Sequence, residues 1–178
     1  MVFYIIGYMG AGKSSVGREV AKRTGLGFVD MDREVEKLHG MPVAAIFDRD
    51  GEKVFRKSER EVLEQLAGCD EDIVVSCGGG TPCQGDNMAL MNETGKTVYL
   101  KLSPEKLIKR LRPGQDKRPI LKGMDSDRML EFIRRMLPER EPHYMQASMI
   151  IDCDALSDDS ICGYVADYVR HYSAGAGE

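Results

Sequence analysis

The sequence predicts an α/β fold of three layers, with a central five-stranded parallel sheet flanked by helices. Three observations carry that prediction. Short runs rich in Val, Ile, Tyr and Phe recur along the chain, helical periodicity fills the intervals, and glycine-rich turns follow the first and third runs. Strands and helices in alternation point to a parallel sheet, because a parallel neighbour is reached only through a crossover, usually a helix. With 178 residues, 42% of them hydrophobic, the chain suits one core. Residues 1–172 are therefore expected to form a single domain, and the low-complexity stretch 173–178 (SAGAGE) a disordered tail.

Val2 to Ile6 (VFYII) reads as a buried strand, and Val16, Val20 and Ala21 mark the apolar face of a helix beginning near Lys13. Gly25 and Gly27 end that helix. Phe28-Val29 lead into Asp30-Met31-Asp32, placed at the carboxyl end of a short second strand, where ligands of open α/β sheets bind. Arg33 to Leu66 is charged and helical in period, with breaks at His39-Gly40-Met41-Pro42 and around Asp50-Gly51, which predicts two or three helices. Asp72 to Ser76 is the third strand, followed by Cys77-Gly78-Gly79-Gly80-Thr81-Pro82, too rich in glycine for regular structure. Thr97 to Leu102 is the fourth strand, Pro104 to Leu111 its helix, Met149 to Asp152 the fifth strand and Ser160 to Tyr172 the last helix. The basic, glycine- and proline-containing segment 112–123 (RPGQDKRPILKG) lacks periodicity between two helices, and is expected to be a lid over phosphate.

The stretch Gly7 to Ser15 (GYMGAGKSS) carries the first chemistry. It meets G-x-x-x-x-G-K-[ST] between a buried strand and a helix, the setting of a P-loop. Glycines let several N–H groups converge on a phosphate, and the helix N-terminus adds its dipole. Lys13 supplies a mobile charge for the β- and γ-phosphates, and Ser14 offers a hydroxyl to Mg²⁺. Gly10, Ala11, Gly12, Lys13, Ser14 and Ser15 are thus the candidate contacts to ATP or GTP. On a strand, residues two apart face the same way, so one of Asp30 and Asp32 could serve Mg²⁺ and the other a hydroxyl. Arg56 has Glu59 three residues on, which alone would read as a salt-bridged surface.

Net charge is −4 and pI about 5.5, so no whole-protein field favours nucleic acid or an anionic membrane. No apolar run approaches a membrane span. The first strand begins at residue 2, so no targeting segment is expected. Cys69, Cys77, Cys83, Cys153 and Cys162 are odd in number and lack C-x-x-C spacing, as expected of reduced thiols in a cytoplasmic protein. His39, His143 and His171 show no metal spacing. A GTP switch would need N-K-x-D, which is absent; Asp48-Arg-Asp-Gly51 matches its D-x-x-G but follows a helical stretch. Motor ATPases typically end a neighbouring strand in an acidic pair, where this chain has Val75-Ser76-Cys77-Gly78. A small-molecule kinase needs a metal carboxylate, an acceptor carboxylate, cations for an anionic acceptor and a lid arginine, and residues of each type are present.

In order along the chain, GYMGAGKSS, Asp30-Met-Asp32, Ile46-Phe47 with Gly51-Glu52, Phe55-Arg56-x-x-Glu59, Ser76-x-Gly78-Gly79-Gly80, Arg118-Pro119-Ile120-Leu121 and Arg140-x-x-x-Tyr144 resemble shikimate kinase. The resemblance implies phosphorylation of the shikimate 3-hydroxyl by MgATP, on the route to chorismate and aromatic amino acids. It implies Lys13, Asp32 and Arg118 as catalytic residues, Arg118 also serving the nucleotide. Ser14 and Asp30 are implied at the metal, Asp30 in its outer shell. Asp32, Arg56, Gly78, Gly79, Gly80 and Arg140 are implied at shikimate, with the two arginines on its carboxylate and the glycines leaving room for its ring. Phe47 and Phe55 either wall that pocket or pack in the core. A monomer acting on a small molecule, without nucleic acid or membrane, is expected. A kinase of another small hydroxy acid such as gluconate, or a nucleotide-binding protein without turnover, stays open at this point.

Overall fold

A computed structural model describes residues 1–113, 121 and 123–174. Five parallel strands, β1 (Val2–Ile6), β2 (Gly27–Asp30), β3 (Ile73–Ser76), β4 (Gly95–Lys101) and β5 (Met149–Asp152), form one sheet in the order β2-β3-β1-β4-β5. Seven helices among the described residues flank it: α1 (Lys13–Thr24), α2 (Met31–His39), α3 (Val43–Ala67), α4 (Asn87–Thr94), α5 (Pro104–Leu111), α6 (Ser126–Tyr144) and α7 (Asp158–Ala174). Every residue of β1 is buried, as a strand covered on both faces requires.

Local sequence explains most of the boundaries. Val16, Val20 and Ala21 are the buried face of α1, Lys22 and Arg23 complement its carboxyl end, and Gly25 caps it through an N–H bond to Ala21 O. Ser103 caps α5 by accepting from Lys106 N, and Asp125 caps α6 by accepting from Arg128 N at 2.8 Å. The charged stretch after β2 gives α2 and then α3, which bends where Gly51 leaves helical geometry at φ 81°, ψ 169°. α2 and α3 pack on each other, α1 packs on α7, and α5 on α6.

Two expectations are corrected, and one helix is added. β2 stops at Asp30 and α2 starts at Met31, so Asp32 lies in a helix's first turn and strand alternation does not relate it to Asp30. The helical spacing of fully buried Met31 and Val35 outweighs the strand-like run before them. α4 was unanticipated; its N-terminal Asn87 and mixed composition gave little periodic signal, although Met88 and Met91 reach the core. α7 runs on to Ala174, two residues into the expected tail. Asp48 to Gly51 falls inside α3 rather than after β3, which removes the GTP-switch pattern. The lid 112–123 falls largely outside the described residues, and Arg118 with it. All five cysteines are free thiols.

β4 enters the sheet against β1 so closely that a Cβ on Gly95 would lie 2.0 Å from Val2 O, a backbone atom that cannot yield. Gly95→Ala is therefore expected to cost about 2–4 kcal/mol and to lower Tm by roughly 5–15 °C. Gly163, in α7, has nothing within 4 Å of such a Cβ, so Gly163→Ala should raise stability by about 0.5–1 kcal/mol through helix propensity. Thermal unfolding of the two variants checks both signs.

Candidate active site

The loop from Gly7 to Gly12 turns from the end of β1 into the N-terminus of α1. Gly10 and Gly12 adopt φ 83° and 92°, which side chains rarely tolerate. A Cβ on Gly12 would also lie 2.8 Å from Arg110 Nη1. Lys13 Nζ donates to Tyr8 O at 3.1 Å, folding its ammonium back over the loop. The Ser14 hydroxyl lies 3.1 Å from that of Ser76 at the end of β3, and the β2–β3 register sets Asp30 beside Ser76. Ser14 and Asp30 thus offer hard oxygen donors at one corner of the sheet edge. Mg²⁺ keeps most of its water and takes one or two protein oxygens plus phosphate, so this donor set fits it.

A cavity of about 760 Å³ opens over the loop, lined by Lys13, Ser14, Asp32, Ser76, Gly79, Arg110, Asp158 and Cys162 among others. Asp32 stays open to solvent in the cavity, yet protein crowds its carboxyl and raises its pKa to about 6. Desolvation is the largest cause; Lys13 opposes it, while Asp30, Glu59 and Glu36 add to it.

Next to Asp32 the second half of α3 meets the triple-glycine loop. Glu59 is 1% exposed, so the surface-pair alternative for Arg56 does not hold. One Glu59 oxygen accepts from Arg56 Nη1 at 2.6 Å and the other from the Thr81 hydroxyl at 2.6 Å. Glu52 accepts two further bonds from Arg56, at 3.1 and 3.2 Å. The Arg56 guanidinium lies 5.3 Å over the Phe55 ring, which stacks on Phe47 at 4.6 Å.

The glycines have a reason beyond ligand space. A Cβ on Gly78 would meet Glu59 Oε1 at 2.5 Å, Thr81 Oγ1 at 2.8 Å and Asp32 Oδ1 at 3.1 Å, and one on Gly80 would meet both Arg56 terminal nitrogens at 2.7 Å. A Cβ on Gly79 would stand 3.1 Å from Met9 N of the phosphate loop. Side chains here would strike the protein's own charged groups and the neighbouring loop before any ligand.

Arg140 and Tyr144, one turn apart on α6, complete this end. The Tyr144 hydroxyl donates to Gly79 O at 2.6 Å and lies near Arg140, whose guanidinium lies 5.2 Å over the Tyr8 ring. Burial raises the Cys83 thiol pKa, and Arg140, Tyr144 and Arg56 pull it back, so both guanidiniums act on the space around Cys83.

The structure thus gathers Lys13, Ser14, Asp30, Asp32, Arg56, Gly78, Gly79, Gly80 and Arg140 at the carboxyl edge of the sheet. Sequence reasoning left Arg110 unassigned, yet it lines the cavity, where Nη1 donates to Ala11 O at 3.2 Å and Nη2 to Asp158 at 2.5 Å. Its place just before the lid was the available signal. The partnerships of Tyr8 with Arg140 and of Thr81 with Glu59 had none, because each joins distant segments.

Residues 9–170 match the family model for shikimate kinase. The shikimate kinase of Parabacteroides distasonis is 44% identical over 157 residues, 88% of this chain and 90% of that protein. The crystal structure of shikimate kinase from Bacteroides thetaiotaomicron aligns with a TM-score of 0.87 at 36% identity, covering 96% of this chain and 98% of that one. Shikimate kinase from Acinetobacter baumannii in complex with shikimate aligns with a TM-score of 0.84 at 31% identity, covering 96% and 93%. Agreement of that extent, on a chain whose P-loop and arginine-lined corner stand together at one sheet edge, leaves a single assignment: the chain belongs to the shikimate kinase family and is an ATP-using kinase.

Proposed function

We propose that the chain transfers the γ-phosphoryl group of MgATP to the 3-hydroxyl of shikimate, giving shikimate 3-phosphate and ADP. The observation that carries this is the corner in which Arg56, held by buried Glu59 and Glu52, and Arg140, over the Tyr8 ring, both act on the space around Cys83, while Glu59 and Asp32 flank the same Gly78. Two guanidiniums there suit a planar carboxylate, and a carboxylate at Asp32 suits a hydroxyl on the same small ring.

In this mechanism the N–H groups from Gly10 to Ser15 cradle the phosphates, and Lys13 swings from the Tyr8 carbonyl onto the β- and γ-phosphate oxygens. The Ser14 hydroxyl and, through water, Asp30 would hold Mg²⁺, which would supply positive charge to the phosphates. Asp32 accepts a hydrogen bond from the attacking hydroxyl and fixes its direction. Its raised carboxyl is basic enough to take the proton as the oxygen–phosphorus bond forms. Gly78, Gly79 and Gly80 leave the ring space beside it. Arg118, outside the described residues, is the lid cation proposed to face the phosphoryl group. One chain supplies every group assigned to either substrate, so a monomer suffices.

ADP release measured with shikimate, with gluconate and with no acceptor tests the function; turnover only with gluconate, or with neither acid, overturns it. Lys13→Ala should abolish transfer in a folded protein, and near-normal turnover would remove Lys13 from the phosphate site. Arg56→Ala and Arg140→Ala should each weaken shikimate binding by roughly ten- to a few-hundred-fold with ATP binding little changed. Arg56→Lys should recover only part, since an ammonium cannot present two parallel donors. Arg56→Ala should also lower Tm, because it strips a buried carboxylate of its cation, whereas Arg140→Ala should not. Calorimetric titration of each ligand with thermal unfolding reads all of these, and normal shikimate binding by both alanine variants removes the clamp.

Asp32 gives a pH test. Its pKa lies above the ordinary 3.8, so in the nucleotide-free protein the carboxyl stays protonated until pH rises towards about 6 and is ionised only above it. The carboxyl ¹³C shift of Asp32 should titrate near 6, and Glu36→Gln, which removes one of the charges raising it, should move the midpoint down. A midpoint near the ordinary value contradicts the assignment of Asp32 as a base.

A further inference from the structure

Tyr8 lies in the phosphate loop but contributes nothing to the glycine–lysine pattern, and its side chain is 1% exposed. Its hydroxyl has no hydrogen-bond partner among the described residues, and burying such a group without one is unfavourable. The useful parts of this residue are therefore its ring and its carbonyl. The Arg140 guanidinium lies 5.2 Å over the ring, within cation–π range. The carbonyl accepts from Lys13 Nζ and from Ala11 N, each at 3.1 Å. The surroundings of Arg140 lead back to the same place: Tyr144 lies near it and donates to Gly79 O, and Gly79 stands against Met9 N.

We infer that Tyr8 is a positioning residue for the acceptor site, its ring face orienting the Arg140 guanidinium while its carbonyl holds Lys13, so that one phosphate-loop residue sets the cations of both substrates relative to each other. This rests on Arg140 as a ligand of the acceptor carboxylate. Arg140 has no carboxylate partner among the described residues, so the ring supplies electrostatic attraction to the guanidinium without neutralising it. An acidic residue in that place would hold the arginine equally well but would compete with an incoming carboxylate.

A ring acting through its face can be tested without changing its shape. Tyr8→Phe retains the face and removes only the unpartnered hydroxyl, so the KM for shikimate should stay within about twofold and Tm should hold or rise. Phenylalanines bearing one, two and three ring fluorines at position 8 keep nearly the same size while weakening the negative ring face. Across that series the shikimate KM should climb stepwise, by about three- to thirtyfold at the end, with the ATP KM and Tm steady. Tyr8→Leu should fall at the far end of the series. A shikimate KM indifferent to fluorination, or one that moves only together with Tm, overturns the inference. Arg140→Ala in the same assay separates the two levels. If it raises the shikimate KM while the fluorine series is flat, Tyr8 alone is wrong; if it leaves the KM unchanged, the clamp falls and Tyr8 with it.

Discussion

The carboxylate of Glu59 is buried, and a charge in that position costs several kcal/mol unless both oxygens are satisfied. Arg56 satisfies one and the Thr81 hydroxyl the other. Much of the acceptor corner follows from that requirement. Thr81 can reach Glu59 only if the chain leaving β3 runs against α3, and it can run there only if positions 78 and 80 carry no Cβ. Arg56, held by Glu59 and Glu52 together, has its fork aimed before a ligand arrives, so less side-chain entropy is lost on binding. The charge pair belongs to the packing of α3 on the glycine loop as much as to substrate recognition.

Strand order explains why phosphate and acceptor groups meet. With β1 central and β3 and β4 on either side, the segments leaving β1, β2 and β3 emerge next to one another along one edge. The first becomes the phosphate loop, the second carries Asp30 and Asp32, and the third gives Ser76 and the glycines. Hydrogen bonding between Ser14 and Ser76 ties the first to the third, and strand register ties the second to the third. The arginines arrive from helices instead: Arg56 just past the Gly51 bend of α3, and Arg140 near the end of α6. Long helical side chains bring charge to an edge whose floor is made of short strands and backbone.

Patterns that act over a few residues were legible in the sequence. The phosphate loop, five strands, the α1 face and the breaks in the α2–α3 region all rest on local chemistry: glycine conformations, strand-forming runs, and 3.6-residue periodicity. Asp32 was misplaced because Asp-Met-Asp is compatible with alternation in a strand and with the acidic first turn of a helix, and only the burial of Met31 and Val35 together decides for the helix. For Arg56 the spacing to Glu59 was visible, but Glu59 is covered by residues far along the chain, among them Gly78 and, 22 positions away, Thr81. Prolines at 138 and 142 interrupt the usual helical signal of α6, so the one-turn relation of Arg140 to Tyr144 appears only in the fold. What was hidden was partnership across the chain, which no local pattern encodes.

Three cations of the site, Arg56, Lys13 and Arg140, are held in three different ways. Arg56 is paired with carboxylates, so its charge is largely compensated and its contribution to a ligand is mostly directional. Lys13 rests on a backbone carbonyl, a neutral partner on a flexible stem, which suits a group proposed to follow phosphates. Arg140 lies over a ring face near the Tyr144 hydroxyl and has no carboxylate partner among the described residues, so its charge is left for an anionic acceptor. Against these stand Asp30, Asp32 and Glu59, whose mutual repulsion contributes to the raised pKa of Asp32. A carboxylate entering beside Arg140 therefore meets a cation with no carboxylate partner among the described residues, whereas crowding among the carboxylates already present raises the pKa of Asp32 to about 6. That asymmetry lets a site crowded with acidic groups admit an anion, and it depends on Arg140 being kept in place by partners that leave its charge unspent.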